Sequence, residues 1–432
     1  NNRVQKLAQH LSTGLQVEQQ GLRTQETAAK QVGVFGKVGS KSPDDVVIVS
    51  AKRTAIARAR KGGFKDTKPD DLLMEAFKEI VKDIDPALVE DISCGNVQTV
   101  GAYSLPARTA ALRANIPHTA SIRSVNRQCS SGLQAIADIA SDIKAGYIEV
   151  GIGAGVESMT NGGNPSDPSS LPPMDLNEIF QHPVASQCLT PMGVTSENVA
   201  AKFNISREQQ DKLAVSSHEK ALRAQAAGKF KDEIIPVKVT VEDAEGNEKE
   251  IVVDKDEGPR EGTTMEGLAK LKAVFKKGGS TTAGNASQVS DGAAAALLMK
   301  RSKAEELGLP ILGVFRGYKV AGCPPEIMGI GPAVAIPALL EDTGTTIKDI
   351  DVFEINEAFA SQATYCVEKL GVPADKLNPN GGAIALGHPL GMTGARMTAT
   401  LLHELKREKK KLGIVSMCIG TGMGAAALYE SE

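Results

Sequence analysis

Val125-Asn126-Arg127-Gln128-Cys129-Ser130-Ser131-Gly132-Leu133-Gln134-Ala135 is the stretch from which the rest of the chain can be read. Before it, Ser121-Ile-Arg-Ser-Val125 alternates like a short strand. After it, Leu133, Ile136, Ala137, Ala140 and Ile143 recur at helical spacing. Ser130 and Ser131 suit a helix start, and Gly132 permits a close backbone approach. Cys129 therefore falls at a strand-to-helix turn with its sulfur near the helix N-terminus. The partial positive charge of unpaired N–H groups there favours thiolate over thiol, as a sulfur nucleophile requires. A small residue filling a turn is the plainer alternative, and two stretches of the C-terminal half decide between them.

The 432 residues suffice for about two to four domains at ~150 residues each. Apolar content of 41% and charged content of 23% are those of an ordinary globular protein. A net charge of -3 advertises neither nucleic acid nor an anionic membrane as a partner. No run of ~20 apolar residues exists to span a bilayer. The six cysteines, Cys94, Cys129, Cys188, Cys323, Cys366 and Cys418, show no paired spacing. That pattern argues for reduced thiols in an intracellular compartment, against a disulfide framework or a zinc site.

From Asp45 onward strands and helices alternate. Val46–Val49 reads as a buried strand, Pro69–Asp85 as an amphipathic helix, Asp91–Val97 as a strand and Pro106–Ala114 as a helix. The Cys129 strand and helix follow, and then the glycine-dense strand 148–156. This rhythm predicts an α/β layer with a mostly parallel sheet. Residues ~160 to ~270 break it. A Gly/Pro/Ser loop leads into helical stretches at Thr195–Phe203 and Arg207–Ala227, then a hairpin of Ile234–Val241 and Glu250–Val253. The segment is too long and too patterned for a linker, so it reads as an inserted loop domain.

After Gly308 the rhythm returns as a second copy. Asp91-Ile-Ser-Cys-Gly-Asn96 is echoed by Asp351-Val-Phe-Glu-Ile-Asn356, and the strand 148–156 by Leu412–Gly424. The expected division is 1–42 as an N-terminal segment, 43–160 with 271–308 as a first half, 161–270 as the insertion and 309–432 as a second half. The remaining chemistry lies in that second half. In Asn380-Gly-Gly-Ala-Ile-Ala-Leu-Gly-His388-Pro-Leu-Gly391, a histidine is fixed between Gly387 and Pro389, as proton transfer needs. A helix is expected from Thr393 onward. Met417-Cys418-Ile-Gly420-Thr-Gly-Met-Gly424 puts a second cysteine at a strand end, before glycines with free N–H groups. Asn356 offers an amide at a strand-to-helix turn, where a helix cap is the plain reading. Each has a bland explanation alone. Together, on corresponding glycine-rich turns of two pseudo-repeats, they form a constellation.

The segments NRQCSSGLQA (126–135), NEAFASQ (356–362), NGGAIALGHPLGMTGAR (380–396) and SMCIGTGMGAA (416–426) together resemble the thiolase family. Thr281–Gly292 adds to the likeness, which runs from about Asp45 to the C-terminus. Pro191-Met192-Gly193-Val-Thr-Ser-Glu-Asn198 brings it nearest the peroxisomal 3-ketoacyl-CoA branch. The resemblance implies the thiolase fold, in which two pseudo-repeated βαβ halves form five αβαβα layers with an inserted loop domain. It also implies a homodimer, CoA and 3-ketoacyl-CoA as substrates, and no bound cofactor or metal.

The resemblance assigns roles as well. Cys129 attacks the 3-keto carbon after His388 takes its proton. His388 and a water held by Asn356 bind the enolate oxygen of the departing acetyl-CoA, and Cys418 supplies its proton. The N–H groups of Cys129 and Gly420 hold the tetrahedral oxyanion on the acyl group. Arg260 and Ser287 lie along CoA, with Arg260 near its nucleotide end, and Met192 and Phe359 line the pocket. Pro191 stands where acetoacetyl-specific relatives often carry histidine, which favours longer chains. The alternatives are a biosynthetic acetoacetyl-CoA thiolase and a silent scaffold; the latter would be marked by loss of Cys129, His388 or Cys418.

Two expectations stand apart from the catalytic set. Arg3-Val4, five residues, then His10-Leu11 fits an N-terminal peroxisomal address read by an import receptor, which places the protein in the peroxisome. Cys188, four residues before Met192 in a Gly/Pro/Ser-rich region, is expected to serve as a redox partner of Cys129.

Overall fold

The computed structural model describes residues 33–99, 101–163, 173–243 and 245–432. The address pattern at Arg3 and His10 lies outside them. In chain order the first half contains β1 (Val46–Thr54), α1 (Pro69–Val81), β2 (Asp91–Gly95), α2 (Ser104–Arg113), β3 (Ser121–Val125), α3 (Ser131–Ala145) and β4 (Val150–Ser158). The insertion follows with α4 (Met192–Phe203), α5 (Arg207–Ala226) and the hairpin of β5 (Val237–Glu242) and β6 (Glu248–Val253). Then come β7 (Ser290–Lys300), β8 (Gly313–Gly322), α6 (Gly331–Thr343), β9 (Val352–Ile355), α7 (Ala360–Leu370), α8 (Leu390–Arg407), β10 (Leu412–Ile419) and β11 (Met423–Ser431).

Hydrogen bonding links the main strands in the order β9-β10-β11-β8-β1-β7-β4-β2-β3. Among the described residues the strands of the two halves pair where β1 meets β8 through Val47↔Val314 and Ile48↔Gly313. Side-chain alternation along β7 fixes the layering. Ala294, Ala296 and Leu298 face a central core with α3 and α8, whereas Ala293, Ala295, Leu297 and Met299 face an outer core with α1 and α2. In the second half, Val415 and Met417 of β10 face the same central core, and Ile414 faces outward to α6. The layers are α, β, α, β, α, with α3 and α8 in the middle. Every residue of α8 from Gly391 to Leu405 is buried.

The strand registers make the pseudo-repeat concrete. Ile92 pairs Ile152 and Gly95 pairs Gly155 in the first half; Val352 pairs Gly413 and Ile355 pairs Ser416 in the second. Continuing both ladders puts Asn96 where Asn356 stands, and Glu157 where Cys418 stands. The loop carrying Cys129 precedes α3, and the loop carrying His388 precedes α8. Cys129 and His388 therefore occupy equivalent turns of the two halves.

The insertion is anchored to β1 by charge. Arg53, fully buried, bonds Glu233 at 2.7 Å and Asp256 at 2.7 Å, so removing either partner would strand a buried charge. Among the described residues no helix is long and apolar enough to cross a membrane.

Candidate active site

The nucleophile turn is braced by its own serines. Ser130 stands at the N-cap position of α3 without capping it. Its hydroxyl donates to Arg127 O at 3.0 Å, while Ser131 Oγ accepts from Arg127 N at 2.9 Å and donates to Gln128 O. Gln128 is held at φ +47°, a left-handed conformation that costs a non-glycine residue roughly 1–2 kcal/mol. Such strain persists where surrounding bonds over-determine the turn, which is the case here.

The backbone N–H groups of Gly420 and of Cys129 itself lie on the side of the Cys129 sulfur. Both favour the thiolate, yet burial outweighs them and pushes the thiol up to about 11. The helix N-terminus is present, but burial works against the thiolate it favours.

His388 is held at both backbone and ring. Its backbone N–H donates to Gln288 O at 3.1 Å and Ser290 Oγ at 3.2 Å. Gly387 before it has φ +109°, and a Cβ there would meet Ser290 Oγ at 2.3 Å, so only glycine fits. Thr393 Oγ1 donates to Pro389 O at 2.9 Å and lies 2.7 Å from His388 Nδ1. With its hydroxyl proton spent on Pro389, Thr393 must accept from Nδ1–H. The lone pair is thereby left on Nε2. Burial, helped by the Arg396 guanidinium, pushes His388 down to about 3, so the ring rests neutral. The helix expected from Thr393 begins one turn earlier, at Leu390, which puts Thr393 under the ring.

Asn356 Nδ2 stands 3.2 Å from His388 Nε2, and its carbonyl Oδ1 is buried without a partner. It is not a cap: α7 starts four residues later, with Phe359 at its N-cap. Cys418 is the next-to-last residue of β10, fully buried beside Met328, Ala358 and Phe359. Burial first, and then the nearby Cys129, hold its thiol well above the usual range. Asn356 thus adjoins His388, while Gly420 and Cys418 adjoin Cys129.

The expected binding residues flank it. Ser287 N donates to Ala358 O at 3.0 Å, beside Phe359. Phe359 meets Phe275 edge-on at 6.2 Å, and Phe275 lies over Gly193, next to Met192. Phe275 was not anticipated; its signal in the sequence is the apolar trio Ala273-Val274-Phe275 among lysines. Arg260 is exposed, with Nη2 3.5 Å from Gln288 Oε1 on the His388 wall. Cys188 Sγ sits 3.8 Å from Thr421 O, one residue past Gly420.

Residues 46–302 match the family described as thiolase, N-terminal domain, and residues 309–431 match thiolase, C-terminal domain. The chain belongs to the thiolase family. Rat peroxisomal 3-ketoacyl-CoA thiolase A is 59% identical over 90% of this chain and 89% of its own length. The dimeric peroxisomal thiolase of Saccharomyces cerevisiae superposes with a TM-score of 0.84 at 50% identity, covering 91% of this chain and 99% of the yeast one. A second structure of the yeast peroxisomal 3-ketoacyl-CoA thiolase, with a TM-score of 0.74 at 45% identity, covers 91% of this chain and all of the yeast one. It is described as five α-β-α-β-α layers built from two core domains of identical topology. This thiolase has the same layering.

Proposed function

We propose that this thiolase cleaves 3-ketoacyl-CoA with CoA, giving acetyl-CoA and an acyl-CoA two carbons shorter, as the last step of peroxisomal fatty-acid β-oxidation. The observation that carries the reading is the close crossing of α3 and α8, where a Cβ on Gly132 would stand 2.5 Å from Gly391 O, with Cys129 and His388 each two residues before its helix.

The neutral pair acts together. Nε2 of His388 takes the Cys129 proton as the sulfur attacks the 3-keto carbon. The oxyanion that forms lies by the same sulfur, where the two backbone N–H groups hold it. The C2–C3 bond then breaks, and its electron pair passes to the enolate of acetyl-CoA. His388 Nε2–H and a water on Asn356 bind that enolate oxygen, and Cys418 delivers a proton to C2. Free CoA, deprotonated by Cys418 or His388, attacks the acyl thioester, and Cys129 leaves with a proton restored. Arg260 and Ser287 hold CoA, and Met192, Phe359 and Phe275 wall the acyl pocket. No cofactor enters these steps, because CoA is a substrate.

The reading extends to a homodimer, and to a division into two halves and the insertion at residues 161–270. It also includes a peroxisomal import receptor that recognises Arg3 and His10. Fusing residues 1–42 to a fluorescent reporter tests the receptor; mitochondrial signal would sink it. CoA-dependent cleavage of acetoacetyl-, 3-ketooctanoyl- and 3-ketohexadecanoyl-CoA tests the activity, with mass analysis for an acyl adduct on Cys129. Cys129→Ala should show none. Activity confined to acetoacetyl-CoA, or an adduct on Cys418, would overturn the assignment.

A further inference from the structure

Glu157, the next-to-last residue of β4, lies where the two halves meet, 1% exposed. Its carboxylate accepts four hydrogen bonds. Oε2 takes Val97 N at 3.1 Å and Gly391 N at 3.0 Å; Oε1 takes Gln98 N at 3.2 Å and Asn96 Nδ2 at 3.1 Å. All four donors are neutral. In the pseudo-repeat this pair, Glu157 with Asn96, occupies the positions that Cys418 and Asn356 hold in the other half. One copy of the turn performs chemistry. The other is free for a different task.

Two short routes lead from this carboxylate to the reacting groups. Gly391 lies in the first turn of α8, between His388 and Thr393. Val97 O accepts from Asn126 Nδ2 at 3.2 Å, and Asn126 Oδ1 accepts from Gln128 N at 3.0 Å, immediately before Cys129. We propose that Glu157 is a positioning residue that clamps the first turn of α8 to the nucleophile half and so sets His388 against Cys129. The proposal rests on the roles given above to those two residues.

The chemistry of the cluster requires an ionised carboxylate. Only a group that accepts at both oxygens satisfies four inward donors; a glutamine would aim its NH2 at two of them. Burial raises Glu157 to about 7. The titratable groups around it are Cys94 on β2, Tyr103 ahead of α2 and Cys129 on its turn, with Asp291 on β7 tied to Thr160. Among the described residues no lysine or arginine bonds it. As pH falls through about 7, an O–H replaces one acceptor and the clamp loosens.

The test is the rate of Cys129 acylation by acetyl-CoA from pH 5.5 to 9, without free CoA, in the parent, Glu157→Gln and Glu157→Asp. An acid limb that disappears in Glu157→Gln belongs to Glu157. The parent should show that limb. Glu157→Gln should lack it and acylate roughly tenfold to hundredfold more slowly at pH 8, with KM for acetyl-CoA nearly unchanged. Glu157→Asp should keep the limb at an intermediate rate. Acylation of Glu157→Gln at the parent rate, or a limb that survives in it, would overturn the clamp. If Glu157→Gln does not fold, Asn126→Ala severs the second route alone and must reproduce the slowed acylation; an unchanged rate overturns the proposal. A parent that acylates elsewhere than Cys129 would refute the site assignment and the clamp with it.

Discussion

Gly132 and Gly391 meet backbone to backbone: a Cβ on Gly132 would stand 2.5 Å from Gly391 O and 3.0 Å from Ala395 N. Gly394 is as tight, with Leu133 N 2.2 Å from where its Cβ would lie. These contacts let the first turns of α3 and α8 cross closer than any side chain allows. Cys129 and His388 each precede their helix by two residues, so the crossing is what brings them together.

Gly132→Ala should therefore hurt catalysis more than stability. Overpacking of this kind costs about 1–3 kcal/mol, while a shift near 1 Å between nucleophile and base costs roughly a hundredfold in rate. Thermal melting and the Cys129 acylation rate, measured on one preparation, check the pair. Parent-like acylation would mean the crossing has slack.

Cys418→Ser should still accept an acyl group from an activated acyl-CoA, because attack at Cys129 does not use Cys418. Thiolytic cleavage should fall by about 10²- to 10⁴-fold, the usual contribution of a positioned acid or base. Near-parent thiolysis would make Cys418 structural.

The buried histidines predict an acid-sensitive fold. Burial depresses His388 from 6.5 to about 3 and His218 from 6.5 to about 4. Below pH 6.5 the unfolded chain takes up these protons and the native one does not, so the histidines lower stability as pH falls, while buried Glu157 and Glu354, raised to about 7 and about 8, act in the opposite direction. Each such group contributes about 1.4 kcal/mol per pH unit across its window. Calorimetric melting from pH 7 to 4, compared between the parent and His218→Gln, isolates the histidine: the variant should lose less stability, or gain more, as pH falls. An equal slope in that variant would show that His218 takes no part.

Mild peroxide should join Cys129 to Cys188. Peroxide oxidises the Cys129 sulfur to a sulfenic acid with release of water, and the Cys188 thiol displaces a second water to form the disulfide. The protonated resting state of Cys129 slows the first step, since His388 must first take its proton. Activity should return with a dithiol in the parent and not in Cys188→Ser. Equal recovery of both, with no crosslinked peptide, would remove the idea.

The elements were legible because their periodicities are clean. The Cys129 strand and helix, the echo of Asp91–Asn96 in Asp351–Asn356 and the long helix after His388 all sit within a few residues of where their patterns place them. Resemblance, not spacing, named the roles of Asn356 and Gly420. What stayed hidden depends on depth and partners. Serines 130 and 131 look like caps in sequence, yet fold back onto their own turn. Cys129 sits at a helix N-terminus but so deep that burial decides its protonation. Glu157 reads as the polar end of a glycine strand, and only the strand registers and its four donors show what it joins.

Cys129 and His388 stand about 260 residues apart in the chain, yet their reaction geometry exists only once α3 and α8 have crossed in the middle layer. Contacts of such long sequence separation form late, after local helices and hairpins. During refolding, helical signal should recover first and the capacity to acylate last, so enzymatic activity serves as a clock for the docking of one half onto the other.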